Sequence, residues 1–231
     1  MSPRKKKSKA SSGSGKSDDS QERLHKAREL VKQAYDSTNE REQRKLARQA
    51  TRLTPDYSAA WALLGDLAAS DKTALSYYRK AVAAVDREVG EPLCNDLEAG
   101  RASIDDAHPW FMWRHDLALC LFELDQVPEA IDLAKLLLRH APLDDQGVRY
   151  LLAAALLHEQ RHDELGQLLD QYRDDDTAVW MYSRALLSYR LEGATETSDQ
   201  LLHKAFVLSP YVPDYLIGLK ELPDEIPDSP E

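Results

Sequence analysis

The sequence predicts an all-α chain of stacked helix pairs, and three observations carry that prediction. Ala and Leu are abundant while only 9 Gly and 3 Phe occur in 231 residues, a composition that favours helix over strand. From about residue 20 to Leu222, apolar side chains recur at helical spacing in runs of roughly 10–15 residues joined by short turns, and no stretch alternates with period two for long enough to make a strand. One pattern of Trp, Gly, Ala and Pro also returns along the chain at multiples of about 34 residues.

The pattern is clearest between Pro55 and Ala81. Trp61, Leu64 and Gly65 form W-x2-L-G, and Ala74 with Tyr78 forms A-x3-aromatic, the landmarks of the tetratricopeptide repeat. Gly65 and Ala74 are small enough to let two antiparallel helices approach, and Trp61, Leu64 and Tyr78 are expected to fill the space around that contact. Pro142 and Pro210 are 68 residues apart, two such periods, with Trp180 between them at the expected place. Counting back from Pro142 puts Ala118 and Ala130 at the two small positions. Pro55 to Pro142 exceeds two periods by 19 residues, and the excess is visible as an aperiodic insert over 89–110.

Five helix pairs follow, at about 20–54, 55–89, 110–141, 142–176 and 177–209, in a right-handed tetratricopeptide-like superhelix (α-solenoid). The first starts near Asp19 and Glu22, which have capping-box spacing, and Ser37 with Glu40 opens its second helix. Thr54 and Pro55 begin the second pair as N-cap and first-turn proline. In the third, Trp110 and Phe111 are expected to plug the apolar end left by the insert, and the turn at Asp125 to Glu129 precedes Ala130. The insert itself is expected to interrupt the stack. After Pro210, residues Pro213 to Leu222 read as a last capping helix. The domain is thus 20–222, between a basic tail at 1–19 and an acidic, three-proline tail at 223–231, both expected to be disordered.

Charge separates along the chain. Six cations against Asp18 and Asp19 give the first twenty residues a net +4, which leaves −14 of the total −10 for the rest. So acidic a body repels phosphate backbones, and nucleic acid is not expected as a partner except through the basic tail. No apolar run reaches the roughly 20 residues that span a bilayer. Two cysteines, Cys94 and Cys120, make no disulfide scaffold and suit a reduced, cytoplasmic compartment.

The motifs that could carry chemistry fail on context. His158-Glu159-Gln160-Arg161-His162 matches H-E-x-x-H, but a zinc hydrolase needs both histidines on one continuous helix, and the repeat puts a turn between them. Ala10 to Ser17 fits a relaxed phosphate-loop pattern, yet the lysine run before it cannot be the required strand. Cys94 near His108 has no assignable orienting acid, Cys120 reads as a small core residue, and His115 and His140 have no co-ligands at metal spacing. No catalytic residue, metal or cofactor is therefore expected.

The segment from Arg48 to Leu222 resembles the suppressor-of-tumorigenicity-7 family of tetratricopeptide-like proteins and their bacterial relatives. Ala59-Ala60-Trp61-Ala62-Leu63-Leu64 with the short turn to Ala74, Arg114 through Ala130, and Ser209-Pro-Tyr-Val-Pro-Asp-Tyr-Leu216 with Leu219-Lys220 carry the resemblance. It implies a helical-repeat protein without enzymatic activity. Animal members have membrane-spanning segments, which this sequence lacks, and members continue past the Pro-Tyr-Val-Pro motif into another acidic helical segment.

The expected function is protein or peptide binding in a groove lined by the first helix of each pair. Asp66, Met112, His115, Phe122, Gln146, Arg149 and Met181 are the candidate lining, with Ala62, Leu119, Ala153 and Ala185 beside them. The set lacks the Lys and Asn pattern with which tetratricopeptide clamps grip a C-terminal carboxylate. An extended or helical peptide held by apolar contacts is expected instead, with Arg149 and His115 as polar anchors. A zinc-dependent hydrolase using His158 and His162 and a structural domain that self-associates through the open end of the stack are the alternatives.

Overall fold

The regular structure is helical throughout the described residues, which in this computed structural model are 14–88, 107–221 and the isolated positions Leu93 and Asp96. The expectations for most of the basic tail, for Cys94 and most of the insert, and for the acidic tail lie outside them. The helices are α1 (Ser14–Asp36), α2 (Glu40–Leu53), α3 (Ser58–Asp66), α4 (Asp71–Glu88), α5 (His108–Glu123), α6 (Val127–His140), α7 (Val148–His158), α8 (His162–Gln171), α9 (Ala178–Glu192), α10 (Glu196–Leu208) and α11 (Val212–Leu216). Pairing runs α1 with α2, α3 with α4, α5 with α6, α7 with α8 and α9 with α10, as the period requires. Among the described residues no helix is long and apolar enough to cross a membrane.

Helix ends depart from expectation where side chains compete for the same amides. Helix α1 begins at Ser14, inside the segment expected to be disordered, and runs through Asp19. Asn39 rather than Ser37 caps α2: its side-chain oxygen accepts from the N–H groups of Arg41 at 2.9 Å and Glu42 at 3.3 Å, while Ser37 Oγ accepts from Asn39 N–H. Thr54 closes α2 instead of opening α3, its N–H donating to Ala50 O, and α3 starts at Ser58. Helix α11 stops after five residues because Gly218 takes a left-handed φ of +74°. There Leu219 N–H reaches Asp214 O and Gly218 N–H reaches Tyr215 O, the double closure of a Schellman turn.

The described residues form two compact units divided between Leu143 and Asp144. In the first, the alanines at the helix crossings (Ala27, Ala34, Ala47, Ala50, Ala60, Ala118 and Ala130) are wholly buried, which lets the helices close on Val31, Leu46, Leu63, Leu64 and Leu121. The insert does not interrupt this stack. Helices α4 and α5 pack directly, Arg114 pairs with Asp86, Trp113 Nε1 donates to Ser58 Oγ at 3.1 Å, and Leu75, Tyr78 and Val82 pack on Leu117, Leu121 and Ala130. Trp110 and Phe111 are core residues, edge to face with one another.

Trp61 corrects another expectation. It is only half buried, stacks on Tyr77 with Lys80 over its ring, and donates to Pro55 O at 2.8 Å. The ring pressed against Gly65 belongs to Tyr78. In the second unit the fully buried tryptophan is Trp180, edge to face with Tyr150 and Tyr172, over a core of Leu152, Leu156, Leu165 and Leu169.

Candidate functional site

Helix α5 buries Trp110, Phe111, Trp113, Arg114, Leu117, Ala118, Cys120 and Leu121. Met112, His115, Asp116 and Leu119 fall at i, i+3, i+4 and i+7 on the remaining stripe, half buried except for the exposed Leu119. Asp66 ends α3, and Tyr35 at the end of α1 is near enough for the charges of Asp66 and Asp116 to act on its hydroxyl; from α4 the Tyr78 hydroxyl donates to Asp66 Oδ1 at 2.8 Å.

These groups act on one another. Burial, and then the charge of Asp66, pushes the Asp116 carboxyl up to about 6. Asp66 is itself raised by burial, against the hydrogen bond from Tyr78 that favours its ionised form. The Tyr35 hydroxyl is raised by burial and then by Asp66, Tyr57 and Asp116, and Tyr78 is raised by burial and by its bond to Asp66. Among the described residues no cation forms an ion pair with Asp66 or Asp116. The face therefore presents two uncompensated carboxylates beside the exposed Tyr35 ring and Leu119, an arrangement suited to a cationic side chain with an apolar neighbour.

Of the expected lining residues, Asp66, Met112 and His115 stand on this face. Phe122, three residues on from Leu119, is half buried and packs against the core residues Leu117, Leu121 and Ala130. Ala62 and Ala153 are wholly buried at helix crossings, and Ala185 nearly so. Gln146 and Met181 are half buried in the second unit. Arg149 is engaged within its own unit: Nε donates to Asp175 Oδ2 at 2.7 Å, Nη1 to Asp144 Oδ2 at 3.0 Å, and Nη2 to the Tyr150 hydroxyl at 2.8 Å. Burial alone would raise Asp175, but the bonds from Thr177, Arg149 and Tyr150 more than reverse it and hold it at about 2. The expected lining did not include Asp116 or Tyr35, and Tyr78 was expected only as a packing residue. The stripe through Met112, His115 and Leu119 already contained Asp116, whereas Tyr35 and Tyr78 depend on how α1 and α4 are set against α3.

The H-E-x-x-H match is split by a turn. His158 ends α7, His162 begins α8, and Gln160 between them has φ +54°. Arg161 N–H to Leu156 O and Gln160 N–H to Leu157 O close this turn as a Schellman motif, so the two imidazoles share no helix face. The Cys120 thiol lies buried with Asp71 O 3.4 Å from Sγ, and burial followed by the charges of Glu123 and Asp71 pushes its pKa up, which keeps it protonated and poorly nucleophilic.

No protein-family model matches the chain, and no curated protein matches it significantly. Solved structures do. YrrB, described as a TPR protein with an unusual peptide-binding site, is similar with a TM-score of 0.60 and 17% identity, over 85% of this chain and 88% of that one. The MamA protein is similar with a TM-score of 0.56 and 13% identity, over 90% of this chain and all of that one (100%). At such identities the likeness is one of fold: an all-α tetratricopeptide-type helical repeat.

Proposed function

We propose that this chain is a protein-interaction module without catalytic activity, and that its first unit holds a peptide segment carrying Lys or Arg next to an apolar residue. The observation that carries this is the Asp66 and Asp116 pair, which has no cation partner among the described residues and lies beside Tyr35 and Leu119. Met112 and His115 lie beside Asp116 on the same stripe of α5. The peptide-binding site described for YrrB supports the reading, as does the resemblance to the suppressor-of-tumorigenicity-7 family, which implies a repeat protein with no enzymatic role.

A panel of short fluorescent peptides with Lys, Arg, norleucine or Glu at a central position, flanked by apolar residues, tests it. Basic peptides should bind and acidic ones should not. The double variant Asp66→Asn, Asp116→Asn should weaken binding by about tenfold or more while helicity is unchanged, because charge-assisted bonds are the strong ones. Binding by the wild type should also weaken as pH falls below about 6, where Asp116 takes up a proton. Binding indifferent to peptide charge, or equal for the double variant, would sink the proposal.

A further inference from the structure

The outer face of α2 is a single row of cations. The exposed residues of this helix are Glu40 at its start and then Arg41, Lys45, Arg48 and Arg52, while Leu46, Ala47, Ala50 and Thr51 are buried. At 3.6 residues per turn the four cations fall within about 60° of arc, and at 1.5 Å per residue they follow one another at about 6, 4.5 and 6 Å along the axis. Second helices of other pairs mix the two signs: α4 exposes Asp71 with Lys72 and Asp86 with Arg87, and α10 exposes Glu196 and Asp199 with Lys204. Such a row is unfavourable for α2 in isolation. Arg41 with Lys45 and Arg48 with Arg52 are like charges four apart, and Lys45 with Arg48 three apart, spacings at which they repel. The helix dipole favours Arg52 in the last turn and opposes Arg41 in the first. Lys45 has a partner in Glu42 at 3.2 Å, but among the described residues Arg41, Arg48 and Arg52 form no ion pair. The sequence around the row is basic as well: residues 1–53 hold 15 Lys and Arg against 7 Asp and Glu, a net +8, which leaves −18 of the total −10 for residues 54–231.

We propose that the outer face of α2 docks the phosphate backbone of single-stranded nucleic acid without reading its bases. Charge decides the sign of the partner, since an anion is drawn to this row and repelled by the acidic remainder of the chain. The row decides the partner's form. Its cations stand in line at separations comparable with the step between neighbouring phosphates of an extended strand, and the guanidinium fork matches phosphate oxygens. A peptide is recognised through pockets for its side chains, which an unbroken row of long charged side chains does not provide. A helix that lies on a membrane turns an apolar face into it, whereas the apolar residues of α2 are buried against α1 and α3. With no aromatic residue in α2 there is no platform on which a base could stack, so contact ends at the backbone. The row shares no residue with the Asp66 and Asp116 face, which draws cations rather than anions.

Fluorescence anisotropy of labelled oligo(dT) and oligo(U), each of about 20 nucleotides, with the full chain between about 50 and 200 mM salt is the test. Both should bind, with similar affinity that falls steeply as salt rises. The variant Arg41→Gln, Lys45→Gln, Arg48→Gln, Arg52→Gln should weaken binding about tenfold or more. It should also make the slope of log affinity against log salt shallower by about 3, since each phosphate contact of a single strand contributes about 0.7. Because its like-charge neighbours are gone, this variant should unfold at no lower a temperature than the wild type, which separates lost binding from misfolding. The variant Arg41→Lys, Arg48→Lys, Arg52→Lys retains every charge and should retain the slope. A wild type that does not bind would overturn the proposal, as would a Gln variant that binds like the wild type because the cations between Arg4 and Lys9 hold the strand alone. Poly-Glu of equal length binding as tightly would also overturn it, by making an acidic peptide the partner. So would flotation with phosphatidylserine vesicles in place of oligonucleotide binding, by making the partner a membrane surface.

Discussion

Gly65 lies near the end of α3 with the Tyr78 ring directly against it. A Cβ at this position would meet Tyr78 Cε1 at 2.5 Å and Cδ1 at 2.8 Å, closer than side-chain carbons approach, so the ring must move if a methyl group is added. The same ring holds Asp66 through its hydroxyl, so one hydrogen atom at position 65 connects helix packing to the candidate binding face. Gly65→Ala should destabilise the first unit by about 1–3 kcal/mol, as overpacking does. It should also raise the Asp66 pKa further, since the Tyr78 bond that favours the carboxylate is lost. Urea unfolding and carboxyl titration by NMR read the two effects. A variant as stable as the wild type with an unmoved Asp66 would show that Tyr78 swings aside freely.

At the scale of elements, the start of α7 is held by charge as much as by apolar packing. Asp144 accepts from the Val148 and Arg149 N–H groups at 2.7 and 2.9 Å, which satisfies amides that a helix start leaves open. Arg149 then bridges Asp144 to Asp175, between α8 and α9, with carboxylate side chains that are 1% and 5% exposed. Arg149→Met would leave two buried carboxylates facing each other and should cost about 3–5 kcal/mol. Arg149→Lys should recover only part of this, because an ammonium lacks the planar fork that serves both partners. Thermal unfolding of the three proteins orders them. If instead Arg149→Lys left stability untouched and reduced peptide binding, Arg149 would have the anchoring role that its position in the sequence suggests.

For the molecule as a whole, the two units should answer acid in opposite directions. Asp116 in the first has a folded pKa raised to about 6, so folding favours its protonated form and the unit gains stability as pH falls from about 6 to about 4. Asp175 in the second is depressed to about 2, so its contribution is complete above about pH 4 and is lost as pH falls from there towards 2. After allowance for solvent screening each effect is on the order of 1–2 kcal/mol, a real fraction of the 5–15 kcal/mol typical of a domain. Because repeats are stabilised chiefly by their neighbours, the loss should stay local. Hydrogen exchange followed at descending pH should show residues 144–221 losing protection first. Simultaneous loss in both units would mean one cooperative body, and earlier loss in residues 14–88 would reverse the assignment of the two carboxylates.

The sequence by itself determined the helix pairs and their turns. Helical period, the buried small residues Ala118 and Ala130, and the spacing of Pro142 and Pro210 are local features, and they place the turn that separates His158 from His162 without reference to the rest of the chain. Tertiary structure alone decided which face of each helix meets which neighbour. The periodicity says that Trp61 and Tyr78 belong near the α3–α4 contact, but the rotation of α4 chooses Tyr78 to lie on Gly65 and leaves Trp61 half exposed on Tyr77. Arg149 finds its buried partner 26 residues away in Asp175, while the charge of Asp66 acts on Asp116 and neither has an ion-pair partner among the described residues. The pairing of charges across long sequence separations depends on three-dimensional distance and burial, which residue spacing does not encode, so the interaction of Asp66 with Asp116 became visible only in the fold.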